Sequence, residues 1–249
     1  MRNTLERGFF KIFLIFFLFA FGHSGIASPL PFQTQLDDAG ITYQVPQSGK
    51  AILVNIPSFE LIAFENGKPV LRSRVIVGAP WHRTPRLHTK VSTVRFRPTW
   101  RPTPSMIASG EYTDRIRPAG ENNPLGLAAV RLAPGLLVYL HDTNHRELFT
   151  QEKRALSHGC VRVQRWDELV AFVLDMDIAR VHALANGRRT FDAPAPPIPV
   201  TLGYYRRFPD QNGDIVTHPD IYGLDRLSSD LNQNDKGTEI ACSQVGQSE

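Results

Sequence analysis

Leu140-His141-Asp142-Thr143, followed after a gap by Ala155-Leu156-Ser157-His158-Gly159-Cys160-Val161-Arg162-Val163, is the stretch on which the reading of this chain turns. The apolar run Leu136 to Leu140 reads as a strand that ends at His141. A few residues beyond Cys160, positions Trp166, Leu169, Val170, Val173 and Leu174 recur at helical spacing. Asp167 and Glu168 stand near the start of that segment, where a helix dipole favours negative charge. The local prediction is a strand, an extended segment carrying the cysteine, and a helix.

Working outward, the upstream pattern is that of strands. Ala51-Ile52-Leu53-Val54-Asn55-Ile56 is a short apolar run ending at Pro57. Glu60 to Phe64 and Val70 to Val77 flank Asn66-Gly67, a dipeptide that tolerates the positive φ of a tight hairpin turn. Val91 to Phe96 is a further β-rich run. Between it and Leu136 lies the turn-rich stretch Pro98 to Pro134, long enough in a compact domain to suggest a lid. Downstream, the cluster Pro194, Pro196, Pro197 and Pro199 leads to Val200 to Phe208. The turn Asp210-Gln211-Asn212-Gly213-Asp214 and Ile215 to Thr217 then give a second hairpin signal.

The 249 residues allow one domain with extensions. With 42% hydrophobic, 10% aromatic and 21% charged residues, the chain can bury a core, which excludes wholesale disorder and a collagen-like fibre. Two cysteines exclude a disulfide scaffold and a four-cysteine zinc site. At the N-terminus, Arg2, Arg7 and Lys11 precede the apolar stretch Ile12 to Phe21, and Gly25-Ile26-Ala27 supplies small residues, the pattern of a secretory signal over residues 1–27. An uncleaved anchor is the rival reading, although Phe9 to Phe21 is shorter than a bilayer requires. Residues 28–46 read as a leader, and residues 228–249, rich in Ser, Asn, Gln and Asp, as a disordered tail. Lys68 to Arg117 holds eleven Lys or Arg against Glu111 and Asp114. This stripe reads either as a solvated strand face or as a surface for an anionic polymer, and with a secretory signal upstream an acidic envelope polymer suits it and nucleic acid does not.

A cysteine thiol is mostly protonated at neutral pH and needs a nearby base or cation to become a nucleophile. His141 and His158 are both candidates. Neighbouring residues on an extended segment point to opposite faces, so a histidine from another strand is better placed than His158. His141 and His145, with His158 and Cys160, would make a zinc site only if the first two sat on a helix, and Asp142-Thr143-Asn144 is poor helix material. Trp100 and Tyr139 read as packing residues, His82 and His88 as surface residues near a turn.

His141, then fifteen residues, then Ser157-His158-Gly159-Cys160 resembles the signature of the L,D-transpeptidase (YkuD-type) catalytic domain, in its larger bacterial periplasmic branch. Similar stretches are Val75-Ile76-Val77-Gly78 with Thr84-Pro85, Pro98-Thr99-Trp100, Asn123-Pro124-Leu125-Gly126 and Pro219-Asp220-Ile221-Tyr222-Gly223. The resemblance implies a peptidoglycan transferase of the periplasm or cell envelope, acting in wall biogenesis and cell shape. Its substrates would be stem peptides, and carbapenem-type β-lactams would acylate it. No cofactor and no metal are implied.

Carried over by position, Cys160 would be the nucleophile and His141 the general base and acid. Asp142 would orient the imidazole through its backbone carbonyl. Ser157, His158 and Gly159 would shape the nucleophile loop, with N–H groups near Gly159 and Cys160 facing the oxyanion, and Arg162 would meet a substrate carboxylate or fix the loop. The alternatives are an L,D-carboxypeptidase or hydrolase using the same thiol, or a non-catalytic wall-binding protein. Cys242 could instead bridge to Cys160 and consume the nucleophile. The expected architecture is mainly β, a mixed-sheet sandwich or open barrel with one main helix after the nucleophile. The catalytic domain would span 47–187, with a β-rich extension over 188–227.

Overall fold

The computed structural model describes residues 31–227. The secretory segment 1–27, the first residues of the leader and the tail 228–249 with Cys242 lie outside the described residues. Helix α1 (Phe32–Asp38) precedes β1 (Lys50–Asn55), β2 (Glu60–Glu65), β3 (Lys68–Gly78) and β4 (Leu87–Phe96). Then come α2 (Pro104–Ala108), β5 (Ala128–Leu132), β6 (Tyr139–His141), β7 (Ala155–Ser157) and β8 (Val161–Val163). Helices α3 (Trp166–Leu174) and α4 (Ile178–Ala185) are followed by β9 (Phe191–Pro194), β10 (Pro199–Gly203), β11 (Arg207–Pro209), β12 (Ile215–Thr217) and α5 (Leu224–Leu227).

The sheet is mixed, and it closes. Its order is β10-β1-β2-β3-β8-β6-β5-β4, and β4 returns to pair with β10 through Leu87–Leu202 and Lys90–Pro199. The far end of the same β4 edge pairs with β9. The β2–β3 hairpin turns on Asn66 and Gly67, at φ 49° and 79°, a conformation that Gly reaches without strain and Asn more readily than other side chains. Parallel pairing joins β1 to β10, β3 to β7 and β6 to β8.

Burial on both faces explains the unbroken apolar run of β1. Ile52 and Val54 join Leu61, Ala63, Val75, Val94, Val130 and Leu140 in the interior of the barrel. Ala51 and Leu53, pointing the other way, join Ile62, Phe64 and Phe208 in a second cluster, which Phe32 and Leu36 of α1 complete. Part of the segment read as a leader is therefore a packing helix. Helix α3 buries Trp166, Leu169, Val170 and Val173 in the barrel cluster, each worth about 1.5–3 kcal/mol relative to exposure. It ends at Asp175, which takes the left-handed conformation at φ 50°.

Besides α1, two elements differ from the sequence expectation. Strand β5 lies inside the stretch read as a proline-rich loop, and its Ala128, Ala129, Val130 and Leu132 are all buried. Helix α4 packs against α3, so a second helix accompanies the main one. Strand β10, within the segment read as an extension, closes the barrel.

Candidate active site

Adjacent strands gather the chemistry. Parallel pairing of β6 with β8 sets Leu140 opposite Val161 and His141 opposite Arg162. Strand β3 pairs antiparallel with β8, Ile76 opposite Arg162, and parallel with β7, Gly78 opposite Ser157. His141, Ser157, His158, Cys160 and Arg162 consequently line one small pocket of about 40 Å³, together with Trp100, Met106, Tyr112, Pro124 and Leu125. Asp142, next to His141 in the chain, is buried, and the stretch from Trp100 to Leu125 supplies the other wall.

The nucleophile loop is tightly wired. Gly159 has φ 109°, a backbone conformation that side chains rarely adopt. The Ser157 hydroxyl donates to the Cys160 carbonyl at 2.5 Å and accepts from the Gly159 N–H at 3.1 Å. The Gly159 N–H is therefore engaged within the loop. The Tyr139 N–H points at Cys160 Sγ at 3.4 Å, and a donor there favours the anionic form of sulfur. Cys160 is buried and disulfide-bonded in this structure. The other cysteine of the sequence, Cys242, lies outside the described residues, so the chemistry below concerns the reduced thiol.

His141 is buried, and its Nδ1 bonds to the backbone carbonyl of Asp142. Burial pushes its pKa down to about 3, the Arg162 guanidinium adds to that, and hydrogen bonds with the backbone of Asp142 and Leu125 oppose it. The imidazole is neutral through the physiological range, as an acceptor for a thiol proton must be. Asp142 accepts from the Leu127 N–H at 2.9 Å and pairs with Arg146 at 2.9 Å, while burial holds its pKa above the usual carboxylate range.

Arg162 is pushed below its ordinary pKa by burial, with Tyr112 and Glu147 opposing. No carboxylate among the described residues forms an ion pair with it. His158 turns toward the lid, its Nε2 2.9 Å from Glu111 Oε2 and its ring 4.6 Å from that of His82. His82, read as a surface residue, is thus in contact with a pocket wall, and burial followed by the neighbouring His158 lowers its pKa.

Motif stretches that sequence alone left without roles are the scaffold of this pocket. The Thr84 hydroxyl accepts from the Gly78 N–H and donates to the Gly159 carbonyl, each at 2.8 Å. The Tyr222 hydroxyl donates to the Gly78 carbonyl at 2.8 Å and accepts from the Thr84 N–H at 3.0 Å. Asn123 is buried and pins the lid base, donating to the carbonyls of Pro98 and Pro118, each at 2.9 Å. Beside the pocket, sharing Trp100 and Tyr112 as walls, a cavity of about 620 Å³ runs beneath residues 111–122.

The family profile of the L,D-transpeptidase catalytic domain (YkuD) matches residues 49–219. A Haemophilus influenzae protein named for L,D-transpeptidase activity is 31% identical over 224 residues, covering 73% of this chain and 46% of its own length. YbiS of Escherichia coli K12, named for the same activity, is 32% identical over 147 residues, covering 54% of this chain and 46% of its own length. The chain thus spans about half the length of the curated relatives it matches. An L,D-transpeptidase structure from Mycobacterium smegmatis aligns at a TM-score of 0.41 and 16% identity, over 63% of this chain and 59% of that one. On the strength of the profile match, the chain belongs to the L,D-transpeptidase catalytic domain family.

Proposed function

We propose that the protein is a cysteine-dependent peptidoglycan L,D-transpeptidase of the periplasm or cell envelope, exported by its N-terminal segment and building three-to-three cross-links in the wall. The observation that carries the reading is the convergence of Cys160 and a neutral, carbonyl-tethered His141 in one pocket. Reduced Cys160 transfers its proton to His141, and the sulfur attacks the carbonyl of the third stem residue. The C–N bond to the terminal D-alanine breaks, His141 returns the proton to the departing amine, and a thioester remains. The side-chain amine of a neighbouring stem then attacks that thioester, giving up a proton to His141. The amide forms and the thiol is regenerated.

Arg162 suits the carboxylate of the leaving residue, because a guanidinium pairs with a carboxylate in a planar fork. Asp142 sets the imidazole through its backbone, and Ser157, His158 and Gly159 hold the loop. The same thiol would open a carbapenem-type β-lactam ring to an acyl adduct. The pocket of about 40 Å³ is smaller than a stem peptide, so the part of segment 98–134 ahead of the Asn123 anchor opens to admit one.

Incubating the reduced protein with disaccharide-tetrapeptide and weighing the products tests the reading. A cross-linked dimer is expected. Tripeptide without dimer would make the protein a carboxypeptidase, with water as the acceptor, and an untouched substrate would leave a wall-binding protein.

A further inference from the structure

Trp81 is 79% exposed, whereas Trp100 and Trp166, the other two tryptophans, are each 3% exposed. The turn that carries it is among the best-anchored in the molecule. The Ala79 N–H donates to the Ser157 carbonyl at 2.8 Å, and the His82 N–H donates to the Ala79 carbonyl at 2.8 Å. Thr84 closes the far side onto Gly159 and Tyr222. At Gly78 an added Cβ would lie 2.0 Å from the His82 carbonyl oxygen, so the turn folds back on its own strand with no slack. No aromatic ring or cation among the described residues packs on the indole. A rigid turn, bonded on both sides to the nucleophile loop, holds a large flat apolar surface in water next to His82, itself packed on a wall of the Cys160 pocket.

We infer that Trp81 is a stacking platform for the glycan strand that bears the stem peptide, with His82 and Arg83 supplying polar contacts at its edge. The inference rests on the transpeptidase reading and adds the polysaccharide to its substrate. Three extended residues span about 10 Å, so when the third stem residue lies at Cys160 the sugar that anchors the stem must pass close to the rim of the pocket. A pyranose presents a face of C–H groups that fits a flat aromatic surface, and its hydroxyl and acetamido groups bond at the periphery. Anchoring the backbone of the turn beforehand removes the ordering cost that a mobile loop would add to that of the side chain on binding.

The test is a titration of the mature chain with an unsubstituted hexamer of β-1,4-linked N-acetylglucosamine, followed by tryptophan emission and calorimetry. All three indoles emit and Trp100 lines the Cys160 pocket, so the difference between wild type and Trp81→Ala isolates the Trp81 signal. A saturable emission change is expected, with calorimetric binding lost in Trp81→Ala and retained in Trp81→Tyr. In turnover, Trp81→Ala should raise the ratio of KM for glycan-borne to sugar-free tetrapeptide roughly tenfold, what covering about 60 Å² of apolar surface returns. Undiminished sugar binding by Trp81→Ala, no binding by the wild type, or an emission change with phosphatidylglycerol vesicles and none with the sugar would each overturn the inference. Failure of Cys160 to form an acyl adduct would instead overturn the transpeptidase reading and leave the sugar titration standing.

Discussion

The Thr84 hydroxyl is the bridge between β3 and the nucleophile loop: it accepts from Gly78 and donates to the carbonyl of Gly159, the residue before Cys160. Both partners are backbone groups in a buried environment, and Thr84 itself is 2% exposed. Thr84→Val keeps the shape and strands both groups. Each buried polar group left unpaired costs about 1–3 kcal/mol, so thermal unfolding should move down by several degrees. Because the Gly159 carbonyl is released beside Cys160, the rate of β-lactam adduct formation should fall as well. A variant with native melting and native acylation would show that the bridge carries no weight.

Gly126 depends on Asp142 in an equally local way. Its φ is +63°, and an added Cβ would lie 2.3 Å from the Asp142 carboxyl. Gly126→Ala therefore combines backbone strain with a clash against a buried acid, and a loss of about 2 kcal/mol or more is expected in urea unfolding. Adding Asp142→Ala removes the carboxyl but leaves the Asp142 Cβ, 2.5 Å from the added one, so the clash is relieved only in part. The pair should still be coupled, the double variant being more stable than the sum of the two single losses predicts. Strict additivity would mean that the side chain gives way without cost.

What the sequence made legible follows from the range of the forces involved. The β2–β3 hairpin rests on Asn66-Gly67 and helix α3 on the spacing from Trp166 to Val173, both local signals. The signature from His141 to Cys160 carries its own spacing. Strand β5 escaped because Ala128 to Leu132 is buried on both faces, which removes the alternation that marks a strand, and prolines surround it. Helix α4 had a cue in Asp177, whose carboxylate caps it by accepting from the Ala179 N–H at 2.8 Å. Closure of the barrel by β10 could not be read, since register between strands more than a hundred residues apart is fixed by packing. The roles of Thr84, Asn123 and Tyr222 depend on non-local partners too: Gly159 lies 75 residues from Thr84, Pro98 25 residues from Asn123, and Gly78 144 residues from Tyr222.

The two histidines should separate in kinetics. His141 faces the pocket interior with its Nδ1 tied to the Asp142 carbonyl, whereas His158 reaches to Glu111 on the lid. After reduction, His141→Gln should slow formation of a carbapenem adduct by about 10²–10⁴-fold, the usual span for a lost acid–base group. His158→Gln should cost much less, and Cys160→Ser should give no adduct in intact mass spectrometry. A larger loss at His158 than at His141 would exchange their roles.

Burial of His141 also sets how the fold responds to acid. Its ordinary pKa of 6.5 is held down to about 3 in the folded protein, chiefly by burial. Between those values the unfolded chain binds a proton that the folded chain does not, so stability rises with pH across this window and is lost as pH falls from about 6.5 toward 3. His82 and His218, also lowered, act in the same direction, and Asp142, raised, acts against them, so the His141 contribution is isolated by comparing wild type with His141→Asn. The asparagine amide can still donate to the Asp142 carbonyl but does not titrate. A tenfold difference in proton affinity between the folded and unfolded chains is worth about 1.4 kcal/mol, so the stability difference, wild type minus variant, should fall by about 2–3 kcal/mol between pH 7.5 and pH 4.5. Urea unfolding of both proteins at the two pH values reads this directly. Parallel losses in the two would mean that His141 takes up its proton without penalty, and that the imidazole is far better solvated than its place behind Leu125 and Trp100 implies.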